Sequence, residues 1–192
     1  MNWKKRFNYR SIFIQTAMTV GLYRKSLNAE KKYMAYNIQL LKADIADELA
    51  KIEYVVREFK KIKERIDLPP DKVPYYDRGA VGYLLHNFYN GCENIFRSIA
   101  RFFENDLGPS TWHKDLLKRM KMEISGYRPK VIDDELYRLL DDFRAFRHKF
   151  RHTYAFELDW EREQIVARKL MPASVLLAKQ IQLFLGQLDE ID

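Results

Sequence analysis

Apolar residues recur every three or four positions at Ile38, Leu41, Ile45, Leu49, Ile52, Val56, Phe59, Ile62 and Ile66, a stripe that predicts one long amphipathic helix. "DLPPDKVPYYD" (67–77) stops it with three prolines. A second helix is predicted from about Arg78 to Asp106, ended by Gly108 and Pro109, and its "YLLHNFYNGCENIFRSIARFF" is apolar around much of its circumference. Such a helix belongs at the centre of a bundle. Ser110 or Thr111 caps a shorter helix to about Ile124, and "SGYRPK" forms a loop. Asp133 then caps a helix carrying the segment "FRAFRHKFRHTY" (143–154). A last helical stretch from about Trp160 to Leu188 contains Pro172, which should kink or divide it. No strand-like alternation or internal repeat is present. The fold class is therefore all-α, a bundle of four main helices plus a short one.

On a helical wheel, Leu136, Leu139, Phe143, Phe146 and Phe150 share an arc of about 80° and read as core. Arg144, Arg147, His148, Arg151 and His152 share a different arc of about 140°. Basic residues opposite an apolar stripe are commonly only a solvated face. Here the like charges stand three and four apart, where they repel, and Asp141 alone lies near to offset them. An anion would relieve that repulsion. Guanidinium groups match phosphate geometry, and imidazole exchanges protons near neutral pH, so this face suits binding and cleavage of a phosphodiester.

Composition narrows the remaining classes. Apolar residues make up 47% and charged residues 32% of the 192, which argues for a globular core rather than disorder. The single Cys92 has no internal disulfide partner and no uncharged run reaches the roughly 18 residues of a membrane span, so a cytoplasmic protein is expected. Residues 1–33 hold eight basic residues against Glu30 alone, which accounts for the whole net charge of +7. They read as a basic N-terminal extension, and residues 34–192, opening at Met34, as the domain. His86 and His113 read as structural residues and Cys92 as a packed thiol. No Glu-x-x-His pair, zinc-type spacing, glycine-rich phosphate loop or nucleophile elbow is present, so neither a metal nor a cofactor is expected.

Arg147, the polar His148 directly after it, His152 and Tyr154 together read Arg-x4-His-x-Tyr. This resembles the Arg-x4-6-His motif of HEPN-domain ribonucleases, and in its extended form the HepT toxins. "YLLHNFYNGCENIFRSIARFF", "WHKDLLKRM", "ELYRLLDDFRAFRHKFRHTYAFELDW" and the closing helix extend the likeness over roughly residues 35–190. The resemblance implies a HEPN-like helical bundle and a homodimer joining two motifs in one cleft. It also implies metal-independent cleavage of RNA, with tRNA or mRNA as substrate. The partner it implies is an adjacent MntA-type nucleotidyltransferase antitoxin that silences the toxin by attaching AMP to the motif tyrosine, here Tyr154.

Within that resemblance, cleavage needs a base for the ribose 2′-hydroxyl, a cation for the phosphorus centre and an acid for the leaving oxygen. His152 suits proton transfer, and Arg147 suits the scissile phosphate. Arg144, His148 and Arg151 are supporting RNA-binding residues; the pair Arg144 and His148, spaced Arg-x3-His, is a second arrangement of the same chemistry. Two other readings stay open: a non-catalytic HEPN-like module binding nucleic acid or nucleotides, and a helical scaffold.

Overall fold

The computed structural model describes residues 37–104, 112–152 and 159–189. The chain divides into two compact units, Met1–Leu40 with Asp192, and Leu41–Ile191. The expected boundary at residues 33 and 34 lies outside the described residues.

The first helix, α1, covers 37–62 and passes into a 3-10 turn at Lys63–Asp67. Another such turn, Pro70–Lys72, follows. The prolines stop α1 as expected, because each lacks an N–H and restricts the residue before it. Ile45, Ile52, Phe59 and Ile66 of the stripe are buried, and Val55 is buried in preference to Val56. Helix α2, Tyr75–Glu104, is the hub. Val81, Leu85, Phe88, Tyr89, Cys92, Ile95, Phe96 and Ile99 are all buried on it, so its apolar circumference is accounted for by neighbours on several sides.

Helix α3 is Trp112–Met120, shorter than the sequence predicts. Beyond it, a tight turn pairs Ile124 with Arg128 through hydrogen bonds of 2.8 and 2.9 Å, and Gly126 takes the left-handed φ of 71° that this turn requires. Arg128 is buried there and donates to the Arg119 carbonyl at 2.9 Å, covering an exposed end of α3. Helix α4 is Asp134–Phe150. Asp133 caps it, its carboxylate accepting from the Leu136 N–H at 2.8 Å.

The final helical stretch divides into α5, Trp160–Ala167, and α6, Leu170–Asp189. Its break falls at Arg168 and Lys169, before Pro172, which sits in the first turn of α6 where its missing N–H costs nothing. Helix α5 is fastened to the turn after α1: Trp160 Nε1 donates to the Leu68 carbonyl at 3.1 Å and Gln164 to the same oxygen at 3.0 Å. Among the described residues there are no strands, only the isolated Ile124–Arg128 bridge. No described helix is long and apolar enough to cross a membrane. The architecture is the expected all-α bundle.

Candidate functional site at the α2–α4 seam

Helices α2 and α4 run antiparallel. Asn90 faces Arg147, Phe88 packs on Phe143 with centroids 4.9 Å apart, and Gly82 lies against Phe150. A Cβ on Gly82 would stand 2.7 Å from Phe150 Cε2, so the missing side chain is what lets the two helices close at this level.

The core stripe of α4 differs from the expected one. Leu136, Leu140 and Phe143 are buried, whereas Leu139, Phe146 and Phe150 are only half-buried. The stripe centre is rotated toward Leu140, and Arg147, four residues after Phe143, falls on its continuation. Phe146 and Phe150 instead stack on each other at 5.7 Å, with Phe150 5.4 Å from the His86 ring.

Arg147 is thus not a member of a solvated basic face. Its side chain is 15% exposed and its guanidinium reaches Glu93 of α2 at 3.1 Å, while its Nε donates to the Asn90 amide oxygen at 2.5 Å. Glu93 is buried, and Arg97 approaches the same carboxylate at 3.4 Å. A cation that cannot lose its proton, placed on an inward stripe, needs such a partner because an unpaired buried charge costs several kcal/mol. The Asn90 amide nitrogen in turn lies 2.9 Å from His86 Nε2. The carboxylate and the Asn90 amide fix where the guanidinium points.

The other expected site residues spread outward from this anchor. Arg144 is half-buried and donates to Asp141 at 2.7 Å. His148 is exposed on the last turn of α4. Helix α4 ends at Phe150, earlier than expected, so Arg151 and His152 stand in the following turn, where the His152 N–H donates to the Lys149 carbonyl at 3.0 Å. Both are exposed, and the His152 ring lies 5.1 Å from that of His148. Arg147, His148, Arg151 and His152 are therefore together at one end of the seam; Arg144 lies one turn back. Tyr154, expected as the modified residue, lies outside the described residues, as does the side chain of His113.

Three further residues surround Arg147: Asn90 and Glu93, which the sequence pattern did not single out, and His86. His86, expected to be structural, sits beside Arg147 with its proton affinity lowered by burial and by the charges of Arg147 and Arg151. Glu93 is an acidic residue in the apolar middle of α2, but its partner stands far along the chain and no periodicity reveals it. Cys92 is buried and burial pushes its thiol up, as fits a packed thiol. Among the described residues no group of three or more His, Cys, Asp or Glu could hold a metal ion.

A cation fixed in position, two adjacent imidazoles and a further exposed arginine can hold an anion and move protons about it. A family model described as HepT-like protein matches residues 80–188, which takes in most of α2, α3 to α5 and nearly all of α6, and with them the α2–α4 seam. The chain belongs to that family, and its bundle is HEPN-like. No curated protein and no solved structure matches it.

Proposed function

We propose that this HepT-like chain is a cytoplasmic toxin that cleaves RNA without a metal, as the toxin of a type VII pair with an MntA-type antitoxin. The observation that carries the reading is the anchoring of Arg147 by Glu93 and Asn90 beside two exposed imidazoles. A guanidinium held this way is preorganised for a phosphate, so none of its ordering has to be done when substrate arrives.

In the proposed reaction, His152 removes the proton from a ribose 2′-hydroxyl as its oxygen attacks the adjoining phosphorus. The bond from phosphorus to the 5′-oxygen breaks, a protonated imidazole returns a proton to that oxygen, and the products are a 2′,3′-cyclic phosphate and a free 5′-hydroxyl. Arg147 neutralises the charge on the non-bridging oxygens, and Arg151 and Arg144 hold the flanking backbone. His148 supplies a second imidazole within the same chain, 5.1 Å from the first. A homodimer would add a second set facing it across a shared cleft.

Silencing by AMP on Tyr154 fits the same chemistry. A modified tyrosine two residues past His152 would bring phosphate and a base to the arginines and obstruct RNA. Co-expression with an MntA-type nucleotidyltransferase should relieve growth arrest and add one or more AMP masses, and Tyr154→Phe should abolish the addition. Growth arrest that is absent on expression of the chain alone, or relief with no mass gain, contradicts this part of the proposal. A sedimentation experiment showing an active monomer at micromolar concentration would remove the dimer.

A further inference from the structure

Helix α2 carries exposed aromatic residues that the core does not use. Tyr76 is 84% and Tyr83 60% exposed, an unusual outlay of ring surface on the central helix of a bundle. They stand seven residues apart, and Asn90 stands seven residues beyond Tyr83, so all three fall on one stripe of α2 at intervals of roughly 10.5 Å. Asn87, half-buried, lies on the same stripe. At one end of this line Asn90 holds Arg147.

The neighbouring α4 runs the opposite way, so the residues after Arg147 travel back along the stripe toward Tyr83. Phe150 is beside Gly82, and the charge of Arg151 is felt at His86, three residues from Tyr83. Exposed Arg151 therefore lies near the aromatic row, one cation beyond Arg147 along the same side of α2. Arginines beside open ring faces are what holds a single strand, the cations meeting the phosphates and the rings stacking on bases. Stacking does not read sequence, which suits an enzyme facing loops and unpaired ends.

We infer that Tyr83, with Tyr76 beyond it, forms a base-stacking platform that takes unpaired nucleotides of an RNA strand whose phosphate sits at Arg147. This rests on the ribonuclease reading and assigns it a substrate class: single-stranded RNA, with duplex RNA excluded because its bases present no free faces. Tyr83 acts in binding and not in bond breaking.

The test uses the full chain and a mixed-sequence, fluorescein-labelled 2′-O-methyl oligonucleotide, which cannot be cleaved because its nucleophile is blocked. Tyr83→Ala should weaken binding about 5- to 100-fold, while Tyr83→Trp keeps affinity within about twofold, since either ring stacks. The salt dependence should be unchanged by Tyr83→Ala, whereas Arg151→Ala should lower its slope by about 0.7. An oligonucleotide with an abasic site at the stacked position should bind wild type and Tyr83→Ala alike. On unmodified RNA, Tyr83→Ala should raise KM and leave kcat within a few-fold. Unchanged affinity in Tyr83→Ala, in a protein that binds and cleaves RNA, overturns the platform alone. A shift of Tyr83→Ala to a smaller species in sedimentation assigns the face to a second copy and also overturns it. Wild-type protein that neither binds nor cleaves RNA overturns the ribonuclease reading itself.

Discussion

At the scale of single residues, the proposed function rests on a charge that the core was not expected to hold. Arg147 follows Leu136, Leu140 and Phe143 on one stripe and so is directed inward, where Glu93 meets it. Glu93→Ala should therefore cost about 2–3 kcal/mol in urea melts, because Arg147 and Arg97 lose a buried counter-charge. It should also lower the single-turnover rate of RNA cleavage at least tenfold by freeing the guanidinium, and Glu93→Gln should recover part of both. Glu163 of α5 presents the opposite situation. It is buried, neither of its oxygens has a hydrogen-bond partner, and burial pushes its carboxyl up to about 8 against the nearby charge of Arg78. The group is thus protonated in the folded chain where an unfolded chain, near 4.5, has ionised. Its neutral form imposes no penalty below about pH 4.5; between there and about pH 8 stability falls, by of order 4 kcal/mol, and then levels. Glu163→Gln should flatten that slope and raise the melting temperature at pH 8 while changing little at pH 4.5. An equal slope in both proteins would show that other groups govern it.

At the scale of elements, helix existence was legible and helix rotation was less so. The stripe of α1, the proline stop, the Asp133 cap and the divided final helix all follow from local pattern, because periodicity and capping act within a few residues. The expected core of α4 was displaced by one position, Leu140 standing where Leu139 was expected. Aromatic residues drew the expected stripe toward Phe146 and Phe150, whose half-buried rings belong to the α2 seam instead. The same limit hid Glu93, Asn90 and His86: an apolar helix was readable, but which of its polar residues turn toward a helix more than fifty residues away was not. Arg147 and His152 emerged from a motif resemblance, which supplied what wheel geometry left open. Packing at this scale makes a paired prediction from the glycines of α2. A Cβ on Gly91 would stand 2.5 Å from Ile52 Cγ1, whereas nothing lies within 4 Å of one on Gly79. Gly79→Ala should thus stabilise the chain by about 0.5–1 kcal/mol through helix propensity, and Gly91→Ala should destabilise it by about 1–3 kcal/mol because α1 must move away. Thermal melts of the two variants should shift in opposite directions.

At the scale of the whole molecule, α2 is the hub of the unit Leu41–Ile191, and the proposed chemistry lies along its seam with α4. A surface seam suits a polymer that must be reached anywhere along its length. The basic excess resides in residues 1–33, and the amphipathic pattern begins only near Ile38. A chain beginning at Met34 should keep its helical circular dichroism and its RNA cleavage, with weaker affinity at low salt as the mildest change; loss of the helical signal would make the extension part of the core. The most direct measurement of the central claim is RNA cleavage by the purified chain in the presence of a chelator, with the product ends identified by mass spectrometry. The account predicts fragments ending in 2′,3′-cyclic phosphate and 5′-hydroxyl, and none from His152→Ala or Arg147→Ala proteins whose circular dichroism matches wild type. Intact RNA with wild-type protein, or undiminished cleavage by His152→Ala, would contradict it.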